Sequence, residues 1–482
     1  MIMKNIISNT KKLLLLVPMF TLLFSCTEKL ELKPKQSIDA AVALTTPANI
    51  KATLVGAYLD GRSSSIFGTA FNEYSELYAS TGDMLFLGTY EEPREFIEKE
   101  ATVTNGYVEN TWVQAYKLIN TCNTLLNPET LAILEEEDQD MVEGEARFLR
   151  GWTYFELARL FGLPYEAGAA NNQPAVPLVL TPTTDVADAV KLPRNTVAEC
   201  YTQALNDLTA ARDLLPEEND VYATSLAARA ILARMHLQMG NYAGAAAEAN
   251  YVIQTGAFAL TNTPLEAFNN NSNSPEDIFA FQNNVASNNG WLAVMYASLN
   301  GAGRGDYEIQ QVFLNRFAPS DERGMLQEDT ESFYTIANIN KMYYIGVGTI
   351  INSNGINTSK WGSYYTNIPM IRLAEMYLIR AEANFEDAGA DVGPNTPTQD
   401  INVVRNRSNA PPHGSSVTRQ QIRDERYLEL AWEGFRLHDL KRWKLNIGSY
   451  PYNAGNLILP IPFREMEVND LLVQNDWYLT GK

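Results

Sequence analysis

Histidine, cysteine and positive charge are all scarce in this sequence. Its three histidines, His236, His413 and His438, are scattered over 482 residues. None stands at metal-ligand spacing from another, which excludes an HExxH-type zinc centre. The three cysteines, Cys26, Cys122 and Cys200, form neither a CxxC pair nor the dense, even pattern of a disulfide scaffold. Lysine and arginine total 37 against 57 acids, a formal net charge of -20. A duplex-binding surface must neutralise phosphates, so no nucleic acid is expected as a ligand. There is no GxSxG nucleophile elbow, no phosphate-binding P-loop and no GxGxxG following a strand. His236 lies in an alanine-rich helical stretch and reads as a helix residue rather than a base. The abundant acids leave a glycosidase carboxylate pair open without favouring any one pair. No cofactor and no metal is expected.

Hydrophobic residues make up 45% and charged residues 20%, the range of an ordinary globular chain. The length suits about three domains or one large solenoid. At the N-terminus Lys4, Lys11 and Lys12 precede an apolar run over residues 13–24, broken by Pro18. That is the n-region and h-region of a secretory signal, too short for the roughly 20 apolar residues of a membrane span. Leu23-Phe24-Ser25-Cys26 resembles a bacterial lipobox, so residues 1–25 are expected to be removed and Cys26 acylated. The mature chain then carries 34 basic and 57 acidic side chains, net -23. Anchoring by two or more acyl chains is stable where one is marginal. Residues 27–37, polar and interrupted by Pro34, read as a short stalk. Cys122 and Cys200 are expected to be buried free thiols.

Helical signals dominate the rest. Thr46-Pro47 supplies an N-cap and a first-turn proline for a helix over 45–59. A second helix is predicted over 107–126. The pattern Asp140-x-x-Glu143 predicts a helix start before the dense stretch 146–161, and Thr196-x-x-Glu199 opens another. Residues 224–253 predict two helices joined at Gly240-Asn241, with Ala227, Ala230 and Ala233 facing Ala245, Ala246 and Ala249. Small residues at helical spacing let antiparallel helices pack closely, as in a tetratricopeptide-type hairpin. Several such pairs must stack for stability. From 256 to 355 asparagine, serine and glycine rise, interrupted by Trp291, Tyr296 and Tyr307, and an ordered functional loop region is expected. The tripeptide Arg304-Gly305-Asp306 within it is a chance match to an adhesion motif. Near the C-terminus, Arg426 with Glu429 and Arg436 with Asp439 stand at helix-turn spacing, and structural ion pairs are predicted there.

Several of these segments together resemble the RagB/SusD family of surface lipoproteins. The run NIPMIRLAEMYLIRAEAN over 367–384 is similar to the family's signature helix. VVRNR at 403–407, IRDERYLELAWEGFRLHDLKRW at 422–443, LPIP at 459–462 and Gln474-Asn475 follow in family order. The N-terminal half matches through GEARFLRGWTYFELARLFG at 144–162 and the helix at 112–123. Ser408 stands where the family usually has alanine.

The resemblance implies a mainly helical, all-α SusD-like fold, with four tetratricopeptide-like helix pairs supporting a loop-rich ligand face. Its expected parts are a lipoprotein signal over 1–25, an N-terminal helical region over 26–260, a ligand-binding region over 261–355 and a C-terminal helical region over 356–482. It further implies a non-catalytic lipoprotein of the cell outer membrane that captures oligo- or polysaccharides for a SusC-like TonB-dependent transporter. A peptide-capturing RagB-type protein is the alternative, and a surface glycosidase a lesser one. Sugars offer C–H faces and hydroxyls, so capture calls for exposed flat aromatics and amide or charged partners. The candidate ligand-binding residues are Trp291, Tyr296 and Tyr90, with Asn288 and Asn289 as polar partners. Tyr74, Asp83 and Phe86 lie in the same early loop region as Tyr90.

Overall fold

The structure is a computed structural model that describes residues 44–185, 189–328, 335–348, 350–351, 355–387, 389 and 391–479. Cys26, the signal segment and the stalk lie outside the described residues. Helices of ten residues or more are labelled α1–α10 in chain order. Helix α1 (Pro47–Gly61) starts where its sequence says, the Thr46 hydroxyl accepting the Asn49 N–H and Pro47 filling the first turn. Helix α2 (Ala70–Ala79) is buried along its whole length. Asn105 caps α3 (Gly106–Leu125) by accepting from Tyr107 and Val108.

Helix α4 (Glu136–Phe161) begins a turn earlier than Asp140-x-x-Glu143 predicts. Glu136, Glu137 and Asp138 occupy its first turn, where acids complement the positive end of the helix dipole, and Asp140 is interior. The capping box at Thr196 and Glu199 forms as expected at the head of α5 (Val197–Leu214). Helices α6 (Ser225–Met239) and α7 (Tyr242–Thr255) meet at Gly240, whose φ of 72° is left-handed, and Asn241 caps α7. The C-terminal third supplies α8 (Leu373–Glu386), α9 (Pro397–Arg407) and α10 (Arg419–Leu430).

These helices stack in sequence order: α3 on α1 and α4, α4 on α5, α5 on α6, α6 on α7, α7 on α8, and α8 on α9 and α10. Small residues set the spacing. A Cβ on Gly151 of α4 would stand 2.9 Å from the Asp207 Cβ and 3.1 Å from the Ala204 carbonyl oxygen of α5. One continuous apolar core runs from Ile50 to Leu472, and Cys122 and Cys200 are free thiols buried in it.

Among the described residues seven strands of two to five residues accompany the helices: β1 (Met84–Phe86), β2 (Asp277–Phe281), β3 (Tyr307–Ile309), β4 (Leu326–Gln327), β5 (Tyr343–Ile345), β6 (Ile356–Thr358) and β7 (Ile368–Arg372). Five form a sheet in the order β1-β3-β6-β5-β4, and β2 pairs antiparallel with β7. The asparagine-rich segment is therefore tied to the rest of the chain at both edges. Met84 to Phe86 face Ile309 to Tyr307, and Phe281 faces Ile368.

The C-terminal charges do form an ion network, but not with the partners that helix spacing predicts. Arg426 pairs with Asp439 at 2.7 Å, Arg442 reaches Glu382 at 2.5 Å, and Arg436 lies 3.6 Å from the Tyr427 ring centroid. Glu429 instead receives Arg323, Arg372 and Arg407. These helices are buried on most sides, so each cation must find its carboxylate across a packed interface rather than along an exposed face.

Candidate ligand-binding site

Arg62, at the C-terminus of α1, fixes the loop that carries most of the candidate residues. Its Nη1 donates to the carbonyls of Gln282 (2.5 Å) and Ser287 (3.0 Å), and its Nη2 to the Ser287 hydroxyl at 2.6 Å. The Asn289 side-chain amide donates to the Arg62 carbonyl at 2.6 Å. Asn283 accepts from the Asn289 N–H at 3.1 Å and donates to the Thr366 carbonyl at 3.0 Å. Loop 283–290 is thus pinned on both sides and delivers Trp291 at the head of a short helix, Trp291–Tyr296.

Trp291 is half-buried, and its ring lies 6.0 Å from that of half-buried Tyr90 at an interplanar angle of 45°. The Arg304 guanidinium sits 4.5 Å from the Tyr90 ring centroid and donates to Thr89 at 3.1 Å and Asp306 at 3.2 Å. Cations stack on aromatic faces by attraction to the ring quadrupole. Thus the arginine of the Arg-Gly-Asp tripeptide is engaged within the chain. Tyr364 packs on the Gly290 backbone, where a Cβ would lie 2.6 Å from its Cδ1, and its hydroxyl accepts the Gly303 N–H at 2.5 Å. Tyr365 beside it is 43% exposed.

Beneath Trp291 opens a pocket of about 160 Å³ lined by Ser64, Ser65, Ala70, Glu73, Tyr107, Asn110 and Trp291. Glu73 of α2 is only 1% exposed and accepts the Tyr307 hydroxyl at 2.7 Å. Burial pushes its carboxyl up to about 8, the Tyr307 bond opposing and the charge of Asp306 adding to the shift.

Of the predicted residues, the structure brings Trp291 and Tyr90 together, Trp291 lining this pocket and Tyr90 packing against Trp291 beside it. Asn288 is exposed, with its amide 3.5 Å from the Val285 carbonyl. Asn289 is adjacent, but its amide is engaged by Arg62 and positions the loop. Tyr296 is a correction: at 0% exposure it is core, its ring 4.7 Å from Tyr307 and its hydroxyl donating to Asn72 at 3.2 Å. Five helical residues rotate the chain by about 140°, so Trp291 facing outward turns Tyr296 inward. Tyr74, Asp83 and Phe86 are likewise buried; the Tyr74 hydroxyl meets Thr111 at 2.7 Å and Asp83 accepts from Tyr427. Sequence reasoning missed Glu73, Tyr107, Arg304 and Tyr364. Tyr107 and Asn110, three apart on α3, carried a usable signal, since that spacing puts both on one helix face.

A helical-repeat body presenting half-buried aromatic rings, hydroxyls and amides around a pocket defines a ligand-binding protein. Among the described residues no group of three or more histidines, cysteines or acids is placed to hold a metal ion. Two family models match the chain: one described as starch-binding and associating with the outer membrane covers residues 30–237, and one described as the SusD family covers residues 320–457. The chain belongs to the SusD/RagB family, whose members are non-catalytic glycan-binding proteins associated with the outer membrane. It is 25% identical to SusD-like protein P2 of Formosa agariphila, over 96% of this chain and 99% of that one. Against the starch-binding protein SusD of Bacteroides thetaiotaomicron it is 32% identical over 157 residues, 26% of each chain. A solved SusD superfamily structure from the same organism superposes with a TM-score of 0.77 at 24% identity, covering 89% of this chain and 99% of that one. Family membership removes the surface-glycosidase alternative.

Proposed function

We propose that this chain is a surface lipoprotein that captures an oligo- or polysaccharide and passes it unaltered to a SusC-like TonB-dependent transporter. The observation that carries the reading is the Tyr90–Trp291 pair, two half-buried rings in contact, with Trp291 lining a pocket that also presents hydroxyls, an amide and a carboxyl. Flat rings take up the C–H faces of sugars, while Asn110, Ser64 and Ser65 offer hydrogen bonds to hydroxyls. Asn288, exposed on the neighbouring loop, extends the polar rim. Family membership supports the transporter hand-off and the outer-membrane location.

Affinity electrophoresis of the purified protein against a polysaccharide panel tests capture. Trp291→Ala is expected to weaken binding of the retained polymer at least tenfold, about 1.4 kcal/mol, with the melting temperature nearly unchanged. Unaltered affinity in that variant, or binding of peptides and of no polysaccharide, would count against the reading.

The lipid anchor rests on the signal pattern and Cys26. No described helix is long and apolar enough to cross a membrane. In a detergent phase-partition experiment on cells expressing the full chain, wild type should enter the detergent phase. Cys26→Ala should move to the aqueous phase, because the acyl chains supply the membrane affinity. A variant that stays with the detergent would show that another segment anchors the chain.

A further inference from the structure

The pocket beneath Trp291 has a floor that ring stacking alone does not require. The Glu73 side chain lines this floor, its carboxyl accepting the Tyr307 hydroxyl at 2.7 Å. The remaining polar lining is neutral: the Ser64 and Ser65 hydroxyls, the Tyr107 hydroxyl and the exposed Asn110 amide. Among the described residues no lysine or arginine lines it, and Arg304, on Tyr90, is engaged by Asp306 and Thr89. Its volume of about 160 Å³ is close to that of a cavity of about 150 Å³ that admits benzene, so it has room for one six-membered ring.

We infer that this pocket holds a single uncharged pyranose unit of the captured glycan, hydrogen-bonded by the Glu73 carboxyl group, and rejects units that carry a carboxylate or sulfate. The inference rests on the capture reading above and names the substrate class of the same site. A buried acid facing neutral hydroxyls both donates and accepts, whereas an anionic sugar would meet a carboxyl floor with no cation to balance it.

The same geometry makes binding sensitive to pH. With its carboxyl pushed up to about 8, Glu73 is protonated at neutral pH and loses its donor as the pH rises past that value. The groups that face it are Tyr307 and Asp306 at the head of β3, with Arg304 behind Asp306, Tyr296 from the short helix Trp291–Tyr296, Tyr107 from α3, and Tyr74 on its own helix. Glu76, one turn along α2, is pushed up to about 7 by burial, but accepts the Gly434 and Phe435 N–H groups instead of facing the pocket. Because the folded-state value of Glu73 is raised, its contribution to stability also falls as pH climbs from about 4.5 toward about 8.

The test uses the full chain against starch, xylan and mannan as neutral polymers and alginate and polygalacturonate as uronates, each at pH 6 and pH 9. A neutral polymer is expected to bind, with affinity at least tenfold lower at pH 9. Glu73→Gln, which keeps both a donor and an acceptor, is expected to abolish most of that drop. Asn110→Trp, on the exposed rim, is expected to block binding at both pH values without lowering the melting temperature. A neutral polymer bound with the same pH profile in wild type and Glu73→Gln, or a preference for uronates, overturns the inference and leaves capture standing. Retention of no polymer at either pH overturns both. If Glu73→Gln does not fold, Asn110→Trp decides, and undiminished affinity there overturns the inference.

Discussion

Glu429→Ala is expected to destabilise the protein by about 3–5 kcal/mol, the cost of removing one partner of a buried ion pair. That is a large fraction of the total stability of an ordinary domain. Glu429, at 2% side-chain exposure, receives Arg323 and Arg372 at 3.1 Å each and Arg407 at 2.5 Å. Its backbone carbonyl accepts Lys360 at 2.9 Å. Deleting the carboxylate leaves three guanidinium groups facing one another with fewer anions to balance them. Glu276, Glu425 and Glu433 remain, but each already pairs with one or two of the same cations.

Urea unfolding followed by circular dichroism reads the effect as a fall in midpoint at unchanged slope. Asp470→Asn is the control, because the Lys191–Asp470 pair is exposed on both sides and its loss should leave the midpoint where it was. A Glu429→Ala midpoint as little changed as the control would show that the network contributes nothing net. Burial alone would raise the Glu429 pKa, yet Arg407, Arg372, Arg323 and Lys360 together hold it well below the usual carboxylate range. With the folded value depressed, its stabilisation is present above about pH 4.5 and is lost as acid titrates it through that lower value. Wild type should therefore begin to unfold in acid, and the variant should show a shallower acid limb.

Trp152→Ala should cost about 3–5 kcal/mol by a different route, the loss of a large buried ring and the cavity it leaves. Trp152 of α4 is 0% exposed, with Phe67 at 4.5 Å, Phe148 at 5.5 Å and Phe279 at 5.9 Å between ring centroids. Its indole N–H donates to Glu156 at 3.0 Å. The ring thus joins the helical stack to strand β2, whose far end enters the loop that carries Trp291. Urea midpoints for Trp152→Ala and Trp152→Phe separate the terms, and phenylalanine should recover part of the loss. A Trp152→Ala protein as stable as wild type would place the joint between stack and sheet elsewhere. Glycan affinity should fall with the packing, whereas Trp291→Ala should lower affinity alone.

The helices were largely legible because their signals are local. Thr46-Pro47, the Thr196–Glu199 capping box and the Gly240-Asn241 joint each act within one turn of chain and need no tertiary partner. Helix α4 was misplaced at its start because the Asp140–Glu143 pattern competes with three acids at positions 136–138, and the dipole favours the earlier start. Strands β3 to β6 carry little signal of their own. They are two or three residues long, and the pairing that holds them comes from β1 or from one another, more than a hundred residues apart in the case of β1 and β3.

The site was half legible. Trp291 and Tyr90 could be picked out as aromatics in loop-rich sequence, but the same rule also selected Tyr296, Tyr74 and Phe86, which the core absorbs. Composition cannot say which side of a short helix faces water. Glu73 could not be found at all, because nothing in AFNEYSELYA marks one acid of a buried helix as a pocket floor.

Taken by itself, the sequence determined the helical class, the ends of several helices and the family, all written in contiguous residues. Only the tertiary structure decided which rings stay half-exposed and which the core takes, which arginine answers which glutamate, and that a buried acid lines the pocket. Those outcomes depend on burial and on partners distant in the chain, and a side chain's environment is a property of the packed whole.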